Sequence, residues 1–315
     1  MLTRPVTRVL PGFHGLVALA FCACAPPQRM ARLGDVPLQR GGVLRDCRIG
    51  YRTFGNLDAA RSNAVLVPSW AMGTSRDLAR QLGPGRLVDT SRYFVIAVDA
   101  PGNGVSSSPS TSELQPEAAF PSLTVGDIVE MQRRLVTDVL HLPRLKAVVG
   151  ISFGGMQAFE WATAHSDLID AAVAIAGSPR STEAERQRWS QSARELLATS
   201  RWRRTLSALS HLEPRRASSE LLVNPHDYAT QAQAMASHDV SAAFDRSLER
   251  AAAGVRARLL VVVSPTDEVV DPAPALAFAR LAHAQVVQLE GRCGHRATSC
   301  EKKALARAVA GFLDG

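Results

Sequence analysis

Apolar and polar positions along the chain follow two rhythms. Cys47-Arg-Ile49-Gly-Tyr51-Arg-Thr53 alternates, as a half-buried strand does, and Gly55-Asn56 after it reads as a turn. Later apolar runs are continuous. Residues 64–67, 93–98, 171–176 and 259–263 are such runs, and 146–149 and 285–289 are read as further strands. Short unbroken runs of this kind fit parallel strands covered on both faces. Segments of helical period lie between them. In residues 124–140, Ile128, Met131, Leu135 and Val139 recur on one face, and Thr124 with Asp127 forms a capping-box pair. Residues 155–165, 273–284 and 300–313 are also predicted helices. Strands alternating with helices predict an α/β fold, with a mostly parallel sheet and helices on both faces. The rhythm stops at Ser178. From Arg180 to about Gly254 the sequence is charged and helical, with Trp189 and Trp202 and no strong strand. The predicted organisation is a core in two parts, residues 26–178 and 255–315, interrupted by a helical cap at 179–254.

Composition narrows this picture. The chain has 315 residues, 46% of them hydrophobic, enough for one large α/β domain. Past residue 25 no apolar run approaches the ~20 residues needed to span a membrane. The formal charge is +7 and comes almost entirely from arginine; Lys146, Lys302 and Lys303 are the lysines. The arginines are scattered, with local clusters at residues 201–204 and 215–216. No basic stripe interleaved with aromatics appears, so nucleic acid is not an expected partner.

The first 25 residues are of another kind. Arg4 and Arg8 precede an apolar stretch, residues 15–25, that ends before Pro26-Pro27. A charged start and a short apolar run have the form of a secretory signal. Ala23-Cys24-Ala25 supplies small residues for cleavage. Cys24 is also the candidate for lipidation, although Phe21 stands where a leucine is usual. The rival reading is a basic tail on a cytoplasmic protein. The expected location is secreted or periplasmic, with a lipid anchor left open. Three cysteines follow: Cys47, Cys293 and Cys300. In an oxidising compartment Cys293 and Cys300 form a candidate disulfide. No Cys/His cluster has metal-ligand spacing, and no cofactor is expected.

One short stretch carries chemistry. Gly150-Ile151-Ser152-Phe153-Gly154 follows a predicted strand and opens a predicted helix. Flanking glycines let the chain reverse sharply and expose the Ser152 hydroxyl. The Phe153 amide and the helix N-terminus would favour an oxyanion beside it. A serine needs a base, so an acid and then a histidine are expected later in the chain. Asp267 follows the 259–263 run, at the carboxyl end of a strand. Asp271 is the alternative, but beside Pro272 it reads better as a helix cap. His295 lies in the glycine-rich Gly291-Arg-Cys-Gly294-His295. A second oxyanion donor is expected from Ser69-Trp70-Ala71-Met72-Gly73, with Ala71 chosen and Trp70 next. Trp70, Met72 and Met156 are the candidate substrate-binding residues.

These residues resemble the homoserine O-acetyltransferase group of α/β-hydrolases. The resemblance runs from about Leu44 to Pro179 and from about Asn224 to Asp314. It is carried by YRTFGNLDAARSNAVLV, by TVGDIVEMQRRLVTDVLHLPRLKAVVGISFGGMQAFEWA, and by Asp267 and Gly294-His295. Ser-Phe-Gly-Gly-Met156-Gln157 is its most specific run, and NPHDYATQAQAMASHDV resembles the family's returning cap segment. The resemblance implies an α/β-hydrolase fold, an acyl-Ser152 intermediate, and Ser152, Asp267 and His295 as the triad. Departures bear on the substrate. Residues 69–73 stand where the transferases carry His-Ala-Leu-Thr-Gly, and Gly102-Asn103-Gly104 stands in place of a double-glycine loop. The cap is shorter, and no arginine in it is assigned to a homoserine carboxylate. The hydrolase-like branch is therefore expected: a serine esterase acting on a small-molecule ester or thioester. The alternatives are an O-acyltransferase from acetyl-CoA to homoserine or a similar hydroxyl, and a catalytically silent binding protein. A dimer is left open.

Overall fold

A computed structural model describes residues 25–198 and 223–315. The signal-like segment with Cys24, Trp202 and the arginine clusters at 201–204 and 215–216 lie outside the described residues.

Eight strands form one sheet: β1 (Arg29–Pro37), β2 (Val43–Phe54), β3 (Ala64–Pro68), β4 (Phe94–Val98), β5 (Ala147–Ile151), β6 (Ala171–Ile175), β7 (Arg258–Val263) and β8 (Gln285–Gln288). Their spatial order is β1-β2-β4-β3-β5-β6-β7-β8. β1 and β2 pair antiparallel, as do β2 and β4; from β4 to β8 the sheet is parallel. Alternate residues of β3 to β7 enter opposite core layers. Leu66, Ile96, Val148, Ala172 and Val261 join one layer; Val65, Val95, Val149, Val173 and Val262 join the other. Double coverage is why these strands read as unbroken apolar runs. The α/β expectation holds. The sequence pattern does not predict β1, an edge strand in which only Ala31 and Val36 are buried and the register shifts around Gly34.

The helices include α1 (Ser75–Leu78), α2 (Val125–Arg134), α3 (Phe153–Ala164), α4 (Glu183–Ala198), α5 (Pro225–Ala236), α6 (Leu248–Ala253), α7 (Pro272–Leu281) and α8 (Lys302–Asp314), with a single turn at Ala297–Cys300 before α8. The Thr124 hydroxyl accepts the Asp127 amide while the Asp127 carboxylate accepts the Thr124 amide, so the capping box starts α2. The helix continues past Arg134 as a π turn, Leu135–Val139. Ile128, Met131 and Leu135 of this segment enter the first layer with Phe159 and Trp161 of α3 and Phe278 of α7. Leu305, Val309 and Phe312 of α8 cover the second.

Between β6 and β7 the described residues form helices and no strand. α4 and α5 pack together there as an inserted cap. The loops after β3, β5, β7 and β8 all leave the same edge of the sheet, the carboxyl ends of its parallel strands, where α/β folds build their sites.

Candidate active site

The reversal between β5 and α3 sets the geometry. Ser152 adopts φ 57° and ψ −119°, a left-handed conformation costing a residue with a Cβ about 1–3 kcal/mol. Its amide donates to the Ile175 carbonyl (2.8 Å) and its carbonyl accepts the Met156 amide (3.0 Å). The chain closes so tightly that a Cβ on Gly150 would lie 1.9 Å from the Gly154 carbonyl oxygen. Glycine is required there by space.

Three side chains meet at this point. His295 Nε2 lies 2.8 Å from Ser152 Oγ, and His295 Nδ1 lies 2.7 Å from Asp267 Oδ2. All three residues are buried. With its proton on Nδ1 the imidazole donates to Asp267 and accepts the serine hydroxyl. The other oxygen of Asp267, Oδ1, accepts the amides of Val269 and Val270, both at 2.9 Å. The carboxylate is thus fixed at both ends. Gly294, at φ +55°, turns the chain just before His295, and a Cβ there would lie 2.8 Å from the Thr266 carbonyl. Asp271 does not join this group. Its side chain accepts the Ala273 amide and caps α7. The cap reaches the acid loop: Arg188 of α4 donates to the Glu268 and Val269 carbonyls (3.2 and 2.7 Å), and Glu185 accepts the Asp271 amide (2.8 Å).

The structure joins Cys293 to Cys300, seven positions apart, so a covalent bridge brackets His295. Cys47 is the free cysteine among the described residues. Burial pushes its thiol up to about 12, which removes it as a rival nucleophile.

The candidate oxyanion donors lie at the α3 N-terminus and in the loop tied to it. Phe153 is the first residue of α3, and first-turn amides have no intrahelical acceptor. Among the described residues, the Ala71 and Trp70 amides likewise meet no acceptor. The Trp70 ring folds over Gly73 and packs partly buried with the second core layer, so it is at least in part a packing residue. Met72 has φ 55° and is half-buried. Met156 corrects an expectation: it is fully buried within the first core layer, a packing position and not a pocket wall. The sequence offered no means of choosing, because α3 is apolar on nearly every face.

Several supporting residues were not singled out by sequence reasoning. Asp99, fully buried after β4, accepts the Ser75 amide (2.6 Å), Gln28 Nε2 (2.8 Å) and Asn103 Nδ2 (3.2 Å). Burial pushes its carboxyl above the usual range, opposed by these hydrogen bonds. Asn103 also donates to the Gly73 carbonyl (2.9 Å). The far end of the 69–74 loop is therefore held from the loop after β4. Gln157 and Gln231 hold the near side.

Known proteins resemble this chain in sequence and in fold. The profile of the alpha/beta hydrolase fold matches residues 65–272. An ethyl acetate hydrolase of Pseudomonas veronii is 38% identical over 159 residues, 50% of this chain and 46% of that protein. A homoserine O-succinyltransferase of Methylibium petroleiphilum is 36% identical over 180 residues, 51% of this chain and 46% of that protein. The matched stretch thus spans about half the length of these curated relatives. An acetylester hydrolase from Corynebacterium glutamicum superposes with a TM-score of 0.82 at 24% identity, over 92% of this chain and 96% of that one. A homoserine O-acetyltransferase from Bacillus anthracis superposes with a TM-score of 0.80 at 22% identity, over 92% and 98%. At such identities the superpositions show the fold. The chain belongs to the alpha/beta hydrolase fold family, and within it is related to both esterases and homoserine O-acyltransferases.

Proposed function

We propose that the protein is a serine hydrolase of small acyl esters, working through an acyl-Ser152 intermediate. The observation that carries this reading is the hydrogen-bonded series Ser152 Oγ, His295 Nε2, His295 Nδ1 and Asp267 Oδ2. Ser152 Oγ attacks the ester carbonyl as its proton passes to His295 Nε2. Asp267 holds the imidazole tautomer and stabilises the imidazolium. The amides of Phe153 and Ala71 receive the oxyanion. Collapse expels the alcohol, which takes the proton from His295. Water then attacks the acyl-enzyme with His295 again as base, releasing the carboxylic acid and restoring Ser152.

Water is favoured over a hydroxyl acceptor by the 69–73 loop, which departs from the transferase pattern, and by similarity to a protein named for ethyl acetate hydrolysis. The transferase reading has support of its own in the 36% identity with a homoserine O-succinyltransferase. Product analysis with para-nitrophenyl acetate, with and without homoserine, separates the two. Acetate in constant yield is expected. O-acetylhomoserine formed at the expense of acetate would establish the transferase instead.

The bridge gives a second expected result. Closing so short a loop stabilises the fold by about 2.5 kcal/mol on the chain-entropy account. Cys300 is exposed and within reach of a soluble dithiol. Dithiothreitol is expected to lower the melting temperature and slow ester turnover, because the loop that presents His295 loses its tether. Unchanged turnover, with alkylation showing both sulfurs free, would break the link. A bridge at this position also fits export to an oxidising compartment, which we propose on it and on the signal-like first 25 residues.

A further inference from the structure

We propose that Gln157 and Gln231 are positioning residues that lock the 69–73 loop and leave the Ala71 amide as its oxyanion donor; this rests on acyl chemistry at Ser152.

Three successive peptides of this loop are each anchored by a different group. In the first, the Ser69 carbonyl accepts Gln157 Nε2 (3.1 Å). The same nitrogen donates to the Phe153 carbonyl (3.1 Å), so one side chain ties the loop to the first turn of α3. In the second, the Trp70 carbonyl accepts the Gly73 amide (3.0 Å). In the third, the Met72 amide donates to Gln231 Oε1 (2.7 Å).

The C=O and N–H of a trans peptide point in opposite directions. The Ser69 carbonyl points towards α3, so the Trp70 amide points away from it and is a poor donor for an oxyanion on Ser152. The Met72 amide is already engaged. The Ala71 amide is left, its direction set by the Trp70–Gly73 hydrogen bond.

Neither glutamine is free to turn over. Gln231 is 1% exposed, and its Nε2 donates to the Ala100 and Pro101 carbonyls (3.3 and 3.1 Å). A flipped amide would set oxygen against two carbonyls and nitrogen against an N–H, so the surroundings fix one orientation. Gln157 is fully buried. Its Oε1 accepts Gln132 Nε2 (2.6 Å), and Gln132 Oε1 accepts Trp161 Nε1 (2.9 Å). The loop is thus gripped from the nucleophile helix on one side and from the cap on the other. Gln231 lies in α5, so the inserted segment helps set the oxyanion geometry.

The test uses the full chain and the volume-conserving variants Gln231→Met and Gln157→Met. Removing an oxyanion donor costs about a hundredfold to a thousandfold in kcat, and misplacing one by an ångström can cost about a hundredfold. Each variant is expected to lose about 10- to 100-fold in kcat on para-nitrophenyl acetate, with KM within about twofold. Inhibition by trifluoroacetone, which forms a tetrahedral adduct on serine, should weaken by the same factor as kcat falls. A packing role alone would lower the melting temperature and leave that parallel absent. If one variant does not fold, the other decides. Folded variants with wild-type kcat and wild-type trifluoroacetone affinity overturn the proposal while the hydrolase reading stands. A wild-type protein that neither turns over ester nor is labelled at Ser152 by a fluorophosphonate overturns both.

Discussion

Ser152→Ala lowers kcat on para-nitrophenyl acetate by about a million-fold, and Asp267→Asn by about ten-thousand-fold, if the two act as the geometry assigns. The two losses differ for a physical reason. Without Oγ no acyl-enzyme forms, and only binding and the oxyanion amides remain. Asparagine keeps the shape of Asp267 but loses the charge that stabilises the imidazolium. It also brings an NH2 group that must face either His295 Nδ1 or the Val269 and Val270 amides, which donate to Oδ1 at 2.9 Å. Facing the imidazole, that NH2 would place the histidine proton on Nε2, the atom that must accept from Ser152. Asp271→Asn is the internal comparison. Asp271 lies four residues on, and its carboxylate caps α7 through the Ala273 amide. Asparagine caps nearly as well, so turnover is expected within about twofold of wild type. Activity lost with Asp271→Asn and kept with Asp267→Asn would reverse the assignment.

That assignment was within reach of the sequence because each clue was local. The elbow needs glycine two residues before and after the serine, and those glycines are visible. The acid follows β7, whose apolar run is unbroken because both its faces are covered, and the histidine lies in a glycine-rich loop after the short edge strand β8. Thr124 and Asp127 spell out their capping box within four residues. What escaped was set by contacts between distant segments. β1 is held by pairing with β2 and carries little apolar signal of its own. Gln231 meets Met72 across 159 positions, and nothing in a helix of mixed small and polar residues marks that one glutamine. Gln157 stood in the most specific run of the chain, but its purpose appears only where α3 passes the 69–73 loop. Met156, its neighbour, follows the nucleophile by one helical turn, which suggests the pocket, yet its side chain enters the core.

The second large effect concerns stability. Gly150→Ala is expected to destabilise the fold by about 4 kcal/mol or more, the range reached when strain or overpacking has no outlet. The added carbon would lie 1.9 Å from the Gly154 carbonyl oxygen and 2.8 Å from the Gly155 amide. Both are backbone atoms of the first turn of α3, so no side chain can rotate aside. Relief requires moving the helix start away from β5. That movement would also pull at the Ser152 amide, bonded to the Ile175 carbonyl of β6, and at the Phe153 carbonyl, bonded to Gln157. A melting temperature lower by about 6 °C or more is expected, with turnover lost even where the protein remains folded. Gly311→Ala is the counterpart. Gly311 lies on the exposed side of α8, and a Cβ there meets nothing within 4 Å. Alanine in a helix is favoured over glycine by up to about 1 kcal/mol, so this variant should melt slightly higher than wild type and turn over ester normally. The two substitutions add the same methyl group, and only the distance to the nearest backbone separates them. Equal melting temperatures for the pair would mean that the β5–α3 reversal yields at little cost, and that Ser152 is not held by the rigid elbow on which its reactivity is argued to depend.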